Sequence, residues 1–215
     1  MTPQLRLRLS GAALLLGGVL FAIGNLLHPT THSPSAHEAT TWQAAHVTFM
    51  VGMIGILLGL PGLYGHLANR LGWLGLVGYG AFFAGMAATL GGSWFEAFGV
   101  TSLDEASIHA VEHGSGVAFN VIGGLLFVGG QILLGIVFYR SRAVARLAAV
   151  VMVGAGIVLL VPVGGAESET AGILTIASTA ALGLALAYMG AGVVRDATAS
   201  APGAFAAPVP SSTSA

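Results

Sequence analysis

The stretch "IHAVEHGSG", residues 108–116, sets two imidazoles and a carboxylate within five positions, as His109-x-x-Glu112-His113. Side chains at i and i+4 are neighbours on a helix. His109 and His113 could therefore share one Zn or Cu ion if another element supplies a third ligand. The candidates for that ligand are His46, His28 and Glu96. The spacing also matches one kind of zinc protease, yet three positions in a histidine-rich loop equally describe the capped, exposed end of a helix. Haem b is the other chemistry such residues support. It needs axial histidines from two helices and small residues where the ring packs, and His46 and His113 with Gly52, Gly114 and Gly116 meet that need.

The other polar groups sit near the same level of the chain's apolar segments. Asn25 and His28 close the first segment, and Trp42 and His46 open the second with Met50 and Met53 below them. Thr89, Ser93 and Glu96 end the third. Trp42 reads most simply as an interface anchor, and the two methionines as packing. Glu96 is flanked by the apolar "SWFEAFG". An ionisable group at that depth needs a partner, so Glu96 is expected to face the bundle and meet His46 or His113. His32 and His37 fall in a Pro/Ser/Thr loop and read as solvated, and His66 as a cap at the opposite end.

Positioning these groups is the task of a membrane domain. The chain is 55% hydrophobic and 7% charged, with a mean hydropathy of +0.88, against roughly 25% charge in a soluble domain. There is no cysteine and no lysine, which excludes disulfides, thiolate chemistry and lysine Schiff bases. No phosphate-cradling glycine loop or basic patch points to nucleotide or nucleic acid.

A spanning helix needs about 20 mostly apolar residues. Six stretches qualify, at about 9–28, 43–65, 72–97, 115–138, 146–165 and 171–193. The first follows "LRLRL" but shows no small-x-small cleavage site, so it reads as a retained helix rather than a signal peptide. The fold expected is all-α: one bundle of six transmembrane helices over residues 1–196, with a disordered cytoplasmic tail over 197–215. With both termini inside the cell membrane, all seven arginines (6, 8, 70, 140, 142, 146 and 195) fall on the cytoplasmic side, as the positive-inside rule requires. Glu38, Asp104, Glu105, Glu112, Glu167, Glu169 and six of the seven histidines then fall outside, with Glu96 at the outer end of the third span.

Ser102-x-x-Glu105 reads as a capping box, which starts a helix near Leu103. Continued to the end of the fourth span it would have about 36 residues, roughly 54 Å, against a hydrocarbon core of about 30 Å. Its first turns must stand above the membrane or bend at Gly114 and Gly116. On one continuous helix Glu105, His109, Glu112, His113, Gly116, Asn120 and Gln131 share a face. Lipid would reject that face, so it is expected to turn toward the first three spans, with His113 deeper than His109 and His46 its expected partner.

A shift of 76 residues matches "ILLG" at 56–59 to 132–135 and Arg70–Leu71 to Arg146–Leu147, a parallel repeat of helices 2–3 and 4–5 such as transporters use. The segment "LLFVGGQILLGIVFYRSRAVARLAAVVMVGAGIVLL", with its Arg140–Ser141 pair and Arg146 closing the turn, resembles the centre of small six-helix bacterial membrane proteins grouped as a domain of unknown function. The resemblance implies six helices, and it carries over no activity and no functional residues. Three functional readings stand. One is a binding or redox protein with a metal or haem site at the outer face. The second is a small transporter or channel subunit, and the third a structural or accessory subunit without chemistry. The partner expected in every case is the lipid bilayer, with a membrane-protein partner or a second copy open.

Overall fold

The computed structural model describes residues 1–30, 36, 40–112, 114, 116–163 and 168–199, and among these there is helix and no strand. Helix α1 is Pro3–Leu27, opened by the Thr2 hydroxyl accepting from the Leu5 N–H and by Pro3 in the first turn, where a missing N–H costs nothing. One helical run, Thr40–Trp94, turns at Gly72 and divides into α2 (40–71) and α3 (73–94). A π-helical turn, Phe95–Gly99, ends α3. Then come the short α4, Glu105–Glu112, followed by α5, Gly116–Ser141, α6, Arg146–Val163, and α7, Glu169–Ala199. The chain from 200 on lies outside the described residues.

The run from Thr40 would measure about 80 Å if straight, at 1.5 Å per residue. It is instead a hairpin. Tyr64 and Tyr79 stack with ring centroids 4.6 Å apart, and Trp42 at one end donates its indole N–H to the Glu96 carbonyl at the other, 2.9 Å away. Gly72 makes the reversal at φ 61°, ψ −167°, a conformation essentially reserved for glycine.

The helices close into a ring: α1 against α2, α2 against α3, α3 against α5, α5 against α6, α6 against α7, and α7 back onto α1. Glycine lets α1 sit close to both neighbours. A Cβ at Gly17 would lie 2.5 Å from the Ile56 nitrogen on α2, and one at Gly190 of α7 would lie 2.5 Å from the Leu15 nitrogen. Leu14, Met53, Ile56, Phe82, Met86, Leu134, Met152 and Leu182 fill the middle, each fully or almost fully buried. Gln131 is buried there as well and ties α5 to α6 through Nε2 to the Met152 carbonyl, 2.7 Å. Outward, Leu16, Leu58, Leu125 and Leu184 each leave more than half their surface uncovered, which suits lipid rather than water. Among the described residues four helical stretches are long and apolar enough to cross a bilayer: Pro3–Leu27, Thr40–Gly99, Gly116–Ser141 and Glu169–Ala199. Arg146–Leu160 is a shorter apolar helix.

The alternating direction sorts the two ends. Arg70 donates to the carbonyls of Ser141 and Arg142, at 3.3 and 2.7 Å, in the α5–α6 turn. The Arg146 guanidinium lies 5.8 Å from the centroid of the Tyr139 ring. His66 lies 3.4 Å from Asp196 of α7, and Ser10 of α1 lies against Gly62. Arginine therefore collects at this end, and His28, Trp42, His46 and Glu96 at the other. Two local expectations are corrected. The cap before α4 is Asp104, whose Oδ1 accepts the Ser107 N–H at 2.8 Å, and not Ser102. Helices α4 and α5 are also separate elements, so Glu105 and His109 do not continue the face that carries Asn120 and Gln131. Helix α4 ends at Glu112 and α5 starts at Gly116, in keeping with the bend at Gly114 and Gly116 that the sequence offered as one of two arrangements.

Candidate functional site

The last turn of α1 and the first turns of α2 meet across Gly24, where no side chain holds the backbones apart. A Cβ at Gly24 would lie 2.5 Å from the Phe49 Cβ. That approach sets His28 against an aromatic cluster. Its ring centroid is 4.8 Å from that of His46, 5.2 Å from Trp42 and 6.4 Å from Phe49. His46 lies 4.4 Å from Trp42 and 5.0 Å from Phe49. His46 is 2% exposed and Trp42 is fully enclosed. Trp42 is thus not the interface anchor its position implied. Its indole is spent on the Glu96 carbonyl, and Gln43 makes a longer parallel bond, 3.4 Å, to the Ala97 carbonyl.

Both imidazoles have their tautomer set in the same way. The Nδ1–H of His46 donates to the Trp42 carbonyl, 2.9 Å, and that of His28 to the Pro29 carbonyl, 2.7 Å. A carbonyl can only accept, so in each ring a proton is on Nδ1, and Nε2 is the nitrogen turned away from that bond. Burial holds the His28 imidazole, beyond the last helical residue of α1, below its ordinary value of 6.5, with its carbonyl bond opposing the shift. Asn25, one turn before His28, donates to the Phe21 carbonyl and lies 2.8 Å from the Thr179 hydroxyl. That contact fastens α7 behind the cluster.

Beside the imidazoles a cavity of about 280 Å³ opens between α2, α3 and α5, and its polar lining is His46, Thr89, Ser93, Glu96 and Asn120. Glu96 stands in the π-helical turn, and its Oε2 is enclosed. Glu96 and His46 both line this cavity.

Of the sequence candidates, the fold brings together His28 and His46, and His46 with Glu96. His109 is exposed on α4, whose neighbour is α5. His113, with the depth and pairing expected of it, lies outside the described residues, as do His32 and His37. Among the described residues no three His, Asp or Glu side chains are grouped to hold a metal ion. The rings of His28 and His46 touch, which leaves no room for a flat macrocycle between these two. Met53 belongs to the core. Sequence reasoning missed the Trp42–Glu96 tie, the Phe49 wall and the π-helical turn. The surviving signal was Trp-x-x-x-His, one turn apart. The chain matches no family model, no curated protein and no solved structure.

Proposed function

We propose that this is a cell-membrane protein that crosses the bilayer six times and binds a transition-metal ion on imidazole at its extracytoplasmic end. Two features support the six crossings. Trp73 and Trp94 are both exposed at opposite ends of α3, about 31 Å apart at 1.5 Å per residue. That spacing fits one tryptophan at each interface of a core about 30 Å thick. Arginine clusters at one end of the ring, and the positive-inside rule makes that end cytoplasmic, together with both termini. Under this reading α2 and α3 each cross, and Arg70 and Arg146 mark equivalent inner turns of two parallel hairpins related by the 76-residue shift.

The observation that carries the metal reading is the pair of Nδ1–H bonds to carbonyls. Metal-bound histidines are fixed in this way, with the second nitrogen as ligand, and imidazole suits Zn, Cu, Ni and Fe. His28 and His46 are the two central ligands in the proposal, and Glu96, His109 and His113 are the sources of the rest. The test is metal analysis and an absorption spectrum of the full chain purified in detergent. The expected result is one equivalent of Zn or Cu, lost in His46→Ala and His28→Ala variants that keep their helical circular dichroism. A Soret band would replace the ion with haem on His46 and His113. Neither metal nor haem would overturn the reading in favour of a transporter or structural subunit. Reporter fusions check the orientation: a periplasmic reporter should be active after His37 and silent after Arg70.

A further inference from the structure

At the arginine end, a groove of about 330 Å³ opens between α5 and α6, lined by Ile136 and Tyr139 of α5 and by Val150, Val153 and Gly154 of α6. Apart from the Tyr139 hydroxyl these side chains are apolar, and Ile136, Tyr139 and Val150 are exposed. Elsewhere the two helices pack tightly: a Cβ at Gly156 would stand 2.5 Å from Ile132 Cγ1, and one at Gly135 would stand 2.9 Å from Val153 Cγ2. Gly154 differs. A Cβ there would meet nothing within 4 Å, so the contact between the helices does not require a glycine at this position.

One mouth of the groove is cationic. Arg146, the first residue of α6, holds its guanidinium 5.8 Å from the centroid of the Tyr139 ring. Arg140 and Arg142, in the turn before it, are exposed as Arg146 is. The Ser141 and Arg142 carbonyls, which would repel an anion, accept from Arg70. The start of α6 adds the positive end of its helix dipole. Among the described residues one carboxylate stands at this end, Asp196, beside His66 of α2. The turn therefore carries a surplus of positive charge that favours an anion.

The dimensions suit a phospholipid in one leaflet. From Arg146 to Gly154, α6 rises about 12 Å at 1.5 Å per residue, within half of a hydrocarbon core about 30 Å thick. A phosphate at Arg146 puts the chain below it in the groove. A guanidinium binds phosphate oxygens through paired N–H donors, and basic sites between helices on the cytoplasmic side take anionic headgroups. The surplus charge opposes a headgroup that brings its own cation.

We propose that the groove between α5 and α6 holds an acyl chain of one anionic phospholipid, with the headgroup phosphate on Arg146. The site rests on the bilayer crossing of α5 and α6 and does not involve the metal. The full chain in a non-ionic detergent is mixed with equal amounts of dioleoyl phosphatidylglycerol and dioleoyl phosphatidylcholine, and retained lipid is counted by native mass spectrometry. One phosphatidylglycerol is expected, preferred about tenfold, as for hydrogen bonds to a charged group. Arg146→Gln should remove that preference, whereas Arg6→Gln, an exposed arginine of α1, should keep it. Gly154→Phe should fill the groove and expel the lipid with the melting temperature retained. Gly80→Phe, at an exposed glycine of α3 whose Cβ would also meet nothing, should leave retention unchanged. Arg146→Gln keeps the test open if Gly154→Phe does not fold. Equal retention of the two lipids, or equal effects of Arg146→Gln and Arg6→Gln or of the two phenylalanine variants, would each overturn the proposal. Retention of neither lipid would overturn it too and leave the groove to a protein partner or a second copy. A reporter silent after Arg70 beside any of these results would leave the crossings standing.

Discussion

Gly24→Ala tests whether the approach of α1 to α2 is what assembles the imidazole pair. The added Cβ would stand 2.5 Å from the Phe49 Cβ and 2.7 Å from its Cα, against an ordinary contact that begins at 3.4 Å. These are the root of a side chain and the backbone itself, so no rotamer change relieves them, and the helices must part by roughly 1 Å. Overpacking of this kind costs about 1–3 kcal/mol. Alanine also gains about 1 kcal/mol over glycine in a helix, and a matched control removes that term. Gly91 of α3 is exposed, with nothing within 4 Å of its would-be Cβ, so Gly91→Ala takes the propensity gain alone. The two variants should then differ by the overpacking term, about 1–3 kcal/mol, or several degrees at about 2–4 °C per kcal/mol. His28 lies one turn beyond Gly24, so its ring must move from the 4.8 Å contact with His46. Ligand distances tolerate only about 0.2 Å, so zinc affinity should fall at least tenfold in Gly24→Ala and hold in Gly91→Ala. Melting curves in detergent and a zinc titration read both effects. Equal melting temperatures and equal zinc affinity in the two variants would refute the reasoning.

Other perturbations address other parts of the fold. Trp42→Phe removes the donor that holds α2 to the Glu96 carbonyl and leaves a void at a fully enclosed position; the loss should be roughly 2 kcal/mol in thermal or denaturant unfolding. Arg142 sits at φ 52°, a left-handed conformation that costs a non-glycine residue about 1–2 kcal/mol, so Arg142→Gly should raise the melting temperature while Arg70 keeps its backbone acceptor. The Asp104 carboxyl is held below its ordinary value, first by the backbone N–H of Ser107 and then by its side chain. A depressed carboxylate stabilises above its unfolded pKa, and that stability is lost as pH falls through the folded one. Amide protection of α4 should therefore be full above pH 3.8 and fade below it, and Asp104→Ala should remove both the protection and its pH dependence.

Composition and periodicity alone fixed what depends on local chemistry. The helical class, the apolar stretches, the turn near residue 72 and the sorting of arginine from histidine follow from the cost of exposing backbone and charge to lipid, which every residue meets separately. The polarity of Asn25, His28, His46, Ser93 and Glu96 at matching helix ends was visible for the same reason. The capping signal at Ser102 was ambiguous, because Asp104 two residues later can cap as well, and the sequence offered a bend at Gly114 and Gly116 without deciding it. Only the tertiary structure decided that α7 closes on α1, that Gly24 lets His28 touch His46, and that Trp42 turns inward to the Glu96 carbonyl 54 residues away. Those outcomes depend on which glycines face which backbones across a ring of helices. A single chain's order of residues does not state that pairing, because in lipid, apolar faces of similar hydropathy compete on close packing alone.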